Sequence, residues 1–207
     1  MSHKLNDEIL EFWRWFLSAI ENSNNPFEDM DFIHSLDQKV SQFGRLSWEL
    51  GPGLIDSQNN AFILSPNGDR KLLELTSAII SMAPKYEGYE FYFAKQPRKW
   101  QMRFNMEDEN GENIEIDASC WEYVLIGCSK DTFTIIIKMP KMTKLPEHWR
   151  HTAAEILLDG ELGEEKRINR IAEIQMVSEF ENKMKNKCRP MMELKYHLSE
   201  LNMSGDN

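Results

Sequence analysis

Residues 46–95 read LSWELGPGLIDSQNNAFILSPNGDRKLLELTSAIISMAPKYEGYEFYFAK, and they decide the fold because the hydrophobic period changes within them. The opening LSWELGPG reads as a strand. Ala61 to Leu64 is a second, short and apolar, bounded by Asn59-Asn60 before it and by Ser65-Pro66-Asn67-Gly68 after it. Asp69 then fits the cap of a helix in which Leu72, Leu73, Thr76, Ile79, Ile80 and Ala83 fall on one face, and Pro84 stops it. From Tyr89 to Lys95 the period drops to two, with Tyr89, Phe91 and Phe93 on one side and Glu90, Tyr92 and Ala94 on the other. The aromatic side is expected to lie under the helix. Two strands, a helix and a third strand therefore form the centre of the chain.

Working outward, Asn6 to Glu21 repeats Ile9, Leu10, Trp13, Phe16, Leu17 and Ile20 at steps of three and four, with Phe12 and Trp15 widening the stripe. A core-facing helix is expected there, the alternative being that part of this aromatic surface meets a partner. After the polar break at 22–26, a second helix from about Glu28 to Phe43 carries Phe32, Ile33, Leu36 and Val40, and Gly44 fits its end. On the other flank, Trp100 to Met106 and Asn113 to Asp117 alternate around an Asn110-Gly111 turn, and Trp121 to Gly127 and Thr132 to Lys138 are joined by Cys128 to Asp131. Both pairs read as hairpins. A helix from Glu147 to Asp159 follows, with Gly160 and Gly163 ending it. Ile168 to Val177 reads as a short helical start turning into a strand. Helices before, within and after a run of strands give an α+β class, with a mostly antiparallel sheet of about six to seven strands and helices packed on it. The expected organisation is one domain over 1–177 and a helical extension over 178–207, with a helix at 191–201 and a frayed end.

The composition narrows the function classes. With 207 residues, 41% of them apolar, the chain is long enough for a real core. Its 34 acidic residues against 24 basic give a net charge of −10, which repels phosphate backbones, so nucleic acid is not the expected partner. A basic protein partner suits that charge. No apolar run approaches the roughly 20 residues that span a membrane. The amphipathic segment after Lys4 lacks the apolar core of a signal peptide. Three cysteines, Cys120, Cys128 and Cys188, are too few and odd in number for a disulfide framework. The expected location is the cytoplasm.

Each motif with chemical potential has a plainer structural reading beside it. His148 and His151, with Glu147 and Glu155, share a helical face that could hold zinc. The spacing is not HExxH, Arg150 opposes a cation, and a solvated polar face accounts for the pattern. The acidic loop Glu107 to Glu112 lacks the alternating ligands of a calcium loop and reads as a hairpin tip. Ser65 to Asp69 lies where phosphate loops sit but lacks their glycine and lysine spacing, so turn and cap chemistry explains it. Ser119, Cys120, Cys128 and Ser129 are available nucleophiles, and His34, His148 and His151 available bases, with no GxSxG elbow. Cys120 and Cys128, in or next to strands, read as small buried hydrophobes. Glu49 and Asp56 flank Gly51-Pro52-Gly53, where a carboxylate pair could face a cleft. No catalytic, cofactor-binding or metal-binding residue is assigned, and no cofactor is expected.

The aromatic EFWRWF of the first helix, the strand SWELGPG, the phrase LSPNGDRKLLELTSAIISMAPKYEGYEFYFAK and the later LDGELGEE resemble an uncharacterised bacterial α+β family, a domain of unknown function. The resemblance covers about Phe12 to Val177, and the family pattern has a Trp where this chain has Tyr89. It transfers no catalytic motif. It implies a non-enzymatic, cytoplasmic protein-binding module, with an immunity-type role in neutralising a bacterial toxin among the roles it suggests. Two alternatives stay open: a hydrolase using carboxylates near Glu49, Asp56 and Asp69 or a metal at His148 and His151, and a structural subunit of an oligomer.

Overall fold

The computed structural model describes residues 3–203 apart from 23–24, 27, 108–110, 130, 141 and 143–144, with the backbone alone at 202–203. The chain divides into two compact units, Met1–Lys95 and Gln96–Asn207. The order of periodic segments suggests one domain over 1–177 and an extension over 178–207. The dividing line lies instead directly after the stretch that opens at Leu46.

The first unit contains α1 (His3–Asn22), α2 (Met30–Ser41), β1 (Ser47–Pro52), β2 (Asn60–Ser65), α3 (Arg70–Ser81) and β3 (Tyr89–Tyr92). β1 pairs antiparallel with β2, and β2 pairs parallel with β3, so α3 is the crossover that a parallel pair requires. Asp69 caps α3 by accepting from the N–H groups of Lys71 at 2.7 Å and Leu72 at 3.4 Å. Asp29 caps α2 in the same way, accepting from Asp31 and Phe32, each at 3.1 Å.

Aromatic packing holds this unit together. Phe12, Trp13 and Phe16 of α1 are buried with Phe32, Leu36, Val40, Phe62, Leu64 and Ile79. Trp13 stands edge-on to Phe91 with centroids 5.0 Å apart, and Phe16 lies 5.1 Å from Phe62. The aromatic side of β3 thus meets α1. The indole N–H of Trp13 donates to the Ile79 carbonyl at 2.8 Å, which satisfies the one polar atom that this ring takes into the core. Trp15 is half-buried and stacks on Phe32 at 6.0 Å, so the aromatic stripe of α1 is spent inside the unit.

The second unit contains β4 (Arg103–Glu107), β5 (Asn113–Asp117), β6 (Glu122–Gly127), β7 (Phe133–Lys138), α4 (Glu147–Leu162), α5 (Glu164–Arg170), β8 (Ile171–Val177), α6 (Asn182–Lys185), β9 (Arg189–Pro190), a 3-10 turn at Met191–Glu193 and α7 (Leu194–Met203). β4 and β5 form a separate two-stranded sheet. The larger sheet has the order β8-β7-β6-β9, with β8 parallel to β7 and the other two pairings antiparallel. Asn110 of the first hairpin turn and Lys130 of the second lie outside the described residues. The fold is α+β and its pairings are mostly antiparallel. Among the described residues the strands fall into three sheets, where their order in the sequence suggests one.

The late segment belongs to the body of this unit. Met191, Leu194 and Leu198 are fully buried beside Tyr123, Ile135, Ile137 and Leu157. Their spacing presents one helical stripe to the sheet. α4 also runs past Gly160, which the sequence reading took for its end, to Leu162, and Gly163 (φ 80°) stops it. The absent side chain at Gly160 is filled by the ring of Trp100. The Gly160 carbonyl accepts from the Arg98 N–H at 2.7 Å, and the Trp100 indole donates to Glu161 at 2.9 Å. Burial raises the Glu161 carboxyl above its ordinary range, and the indole bond pulls it partly back.

Candidate functional site

The most constructed feature of the first unit is the loop between β1 and β2. On β3, alternation sends Tyr89 and Phe91 to the core and leaves Glu90 and Tyr92 on the opposite face. From there the Glu90 carboxylate holds the loop. Oε2 accepts from the backbone N–H groups of Leu54 at 2.8 Å and Ile55 at 3.0 Å, and Oε1 accepts from that of Asp56 at 2.9 Å. The Asn59 side-chain amide donates to Oε1 at 3.3 Å, and the Tyr92 hydroxyl donates to Oε2 at 2.6 Å. The Tyr92 bond and then the three N–H groups lower the Glu90 carboxyl to about 2. Burial, with the Glu90 charge beside it, pushes Tyr92 up to about 12, so its hydroxyl remains a donor.

The loop is tight as well as anchored. The Gly53 N–H donates to the Asn59 carbonyl at 2.7 Å, and the Asn59 N–H to the Asp56 carbonyl at 2.9 Å. The Asp56 side chain accepts from the Gln58 N–H at 3.0 Å. A Cβ at residue 53 would strike the Asp56 carbonyl and the Glu90 carboxylate, so glycine is required where the two ends of the loop meet. What the loop presents is apolar: Leu54 is 52% exposed and Ile55 is 88% exposed. The Glu90 carboxylate thus accepts five hydrogen bonds, four of them from loop residues, and fixes the backbone from which two large hydrophobic side chains reach solvent.

The residues singled out from the sequence take other roles. Asp56 is a turn residue, Asp69 is the α3 cap, and Glu49 on β1 pairs with Lys95 at 3.7 Å. Asp56 precedes β2 and Asp69 follows it, so the six-residue strand, about 20 Å long, separates them. Glu49 lies between, on the neighbouring strand opposite Ile63. The three carboxylates are therefore not brought into one cleft. In the second unit His151 faces Glu155 at 3.5 Å, and Glu155 also meets the Arg167 guanidinium at 3.4 Å. Arg167 bonds Asp159 on its other side, which puts a cation in the place a metal would take. His148 packs on Trp149 with ring centroids 5.4 Å apart. Among the described residues no group of three or more metal-ligating side chains converges. The acidic tip at 107–112 lies mostly outside the described residues. Cys120 and Cys128 are exposed, which corrects the expectation of buried thiols, because both lie in turns beside β6 and not within it.

The chain matches no protein-family model, no curated protein and no solved structure. The sequence pointed to the polar side of β3 but not to Glu90 as an anchor, and the one available signal was an acid on that side beside a glycine-bounded apolar pair.

Proposed function

We propose that this protein is a non-enzymatic protein-binding module that docks through the loop 53–59. The observation that carries the reading is the Glu90 clamp with Leu54 and Ile55 held exposed above it. Exposed apolar side chains on a loose loop would have to be ordered on binding, whereas here that cost is met within the free protein. Burying each side chain contributes roughly 2 kcal/mol, about thirtyfold in affinity.

The surroundings select the partner's charge. The first unit carries 14 acidic residues against 8 basic, and Asp56 lies within the loop itself. A partner with an apolar pocket and a basic rim suits this surface, whereas nucleic acid does not. No helix among the described residues is long and apolar enough to cross a membrane. The three free cysteines suit a reducing compartment, and we take the setting to be the bacterial cytoplasm. An immunity-type role against a toxin is the version of this reading that the family resemblance suggests.

The test compares three baits in lysate of the native cell: the natural chain, the Leu54→Asp/Ile55→Asp double variant and Glu90→Gln. A protein retained by the natural chain should be lost with the double variant, weakened with Glu90→Gln, and released by raised salt. The same proteins on all three baits, or none at low or high salt, would overturn the reading.

A further inference from the structure

The larger sheet of the second unit has an edge that is covered only in part. β9 pairs with β6 at two positions, Glu122 opposite Pro190 and Tyr123 opposite Arg189. Continued, that register would set Leu125 opposite Lys187. The ladder stops there because the Lys187 N–H is committed to the Met184 carbonyl at 2.8 Å, where the chain leaves α6.

Antiparallel geometry identifies the groups left open. The Trp121 carbonyl accepts from the Met191 N–H at 3.0 Å on this edge, so every second residue of β6 directs its N–H and C=O the same way. Tyr123 meets β9, while Leu125 and Gly127 lie beyond it, and no described strand pairs with them on that side. A groove of about 390 Å³ runs along this part of the edge, between residues 124–127 of β6 and Lys183, Met184 and Lys187. A Cβ at Gly127 would meet nothing within 4 Å, and Ile126 is 42% exposed at the rim.

Charge then separates the candidate occupants. Residues 183–189 carry Lys183, Lys185, Lys187 and Arg189 in a chain whose net charge is −10. Lys183 is shared with Glu181 at 2.8 Å, and Arg189 faces Glu200 at 3.5 Å. A second copy of this edge would bring the lysines of both grooves together, and lysines beside an open strand are a known means of keeping like edges apart. An acidic segment meets no such repulsion.

We propose that the free half of β6 is a docking edge for an extended acidic segment of a partner protein. The segment continues the course of β9, antiparallel to β6. It takes main-chain hydrogen bonds from Leu125 and Gly127, sets apolar side chains on Ile126 and Met184, and turns carboxylates to Lys183 and Lys187. This surface is independent of the loop at 53–59, which selects the opposite charge.

The probe is a capped ten-residue peptide alternating valine and glutamate, titrated at low salt into the isotope-labelled full-length chain. Amide shifts should concentrate at residues 124–127 and 183–187. A valine–lysine peptide should bind about tenfold more weakly, the effect of two exposed ion pairs. The Lys183→Glu/Lys187→Glu variant should invert that preference. Gly127→Pro, which removes one outward N–H, should abolish binding of both peptides, with the amide spectrum away from β6 as the check that the chain is folded. Absence of shifts at millimolar peptide, shifts centred elsewhere, or equal binding of the two peptides would overturn the proposal. So would a dimer, seen by light scattering, that Gly127→Pro dissociates, because the edge would then belong to a second copy.

Discussion

Glu90 shows how much of a small structure one side chain can organise when all its acceptor capacity is used. Its partners Leu54, Ile55, Asp56 and Asn59 stand 31 to 36 residues away in the chain. A sequence therefore shows no local sign of the role. Asp69 was legible for the opposite reason, since its cap bonds reach only two and three residues ahead. The clamp has a pH signature. Because the folded carboxyl sits at about 2, below its ordinary 4.5, its contribution is fully present above the ordinary value and is lost as pH falls through the folded one. Amide proton shifts of Leu54, Ile55 and Asp56 are expected to stay flat from neutral pH down to about 4 and then move together as the solution approaches the folded value. A shared midpoint at the ordinary value would show that the carboxylate does not hold the loop. In Glu90→Gln the common titration should disappear.

Among the elements, those whose signal is periodic were legible in type and those set by distant partners were not. β3 stops at Tyr92 and β4 starts at Arg103, although the alternation runs on to Lys95 and begins at Trp100. The switch from α5 to β8 near residue 170 was legible because both periods are present in Ile168–Val177. β9 was not, because a two-residue strand exists only through its pairing with Glu122 and Tyr123. α4 is the instructive case. Glycine near a helix end usually means termination, yet here Gly160 is interior and is glycine because Trp100 lies against it. The two effects of Gly160→Ala oppose each other: better helix propensity contributes about 1 kcal/mol, while forcing a methyl into the indole costs about 1–3 kcal/mol. The new carbon would stand 2.7 Å from Cε2 and 2.9 Å from Cη2 of Trp100, inside van der Waals contact, so overpacking should win. Urea unfolding is expected to show a net loss of about 1 kcal/mol, together with a change in tryptophan emission. A gain in stability would mean that the ring moves aside without cost.

At the scale of the molecule, the α+β class was legible, because it depends only on which periods occur and in what order. The grouping of strands into three sheets was not, because it depends on pairing partners that periodicity does not name. Each unit closes its own apolar core, one around Phe16, Phe62 and Ile79 and the other around Tyr123, Ile135 and Leu157. Scanning calorimetry is therefore expected to give a calorimetric enthalpy larger than the van't Hoff enthalpy, the mark of more than one cooperative step. Equal values would make the chain a single cooperative body. The burial of α7 also bears on how the chain comes off the ribosome. Every strand and helix of the first unit is available once Lys95 has emerged, whereas the sheet of the second is left without Met191, Leu194 and Leu198 until those residues have been made. During that interval α4 can already pack on Tyr123 and Ile135, but the part of the core that Met191, Leu194 and Leu198 fill stays open, so the second unit is the later of the two to close.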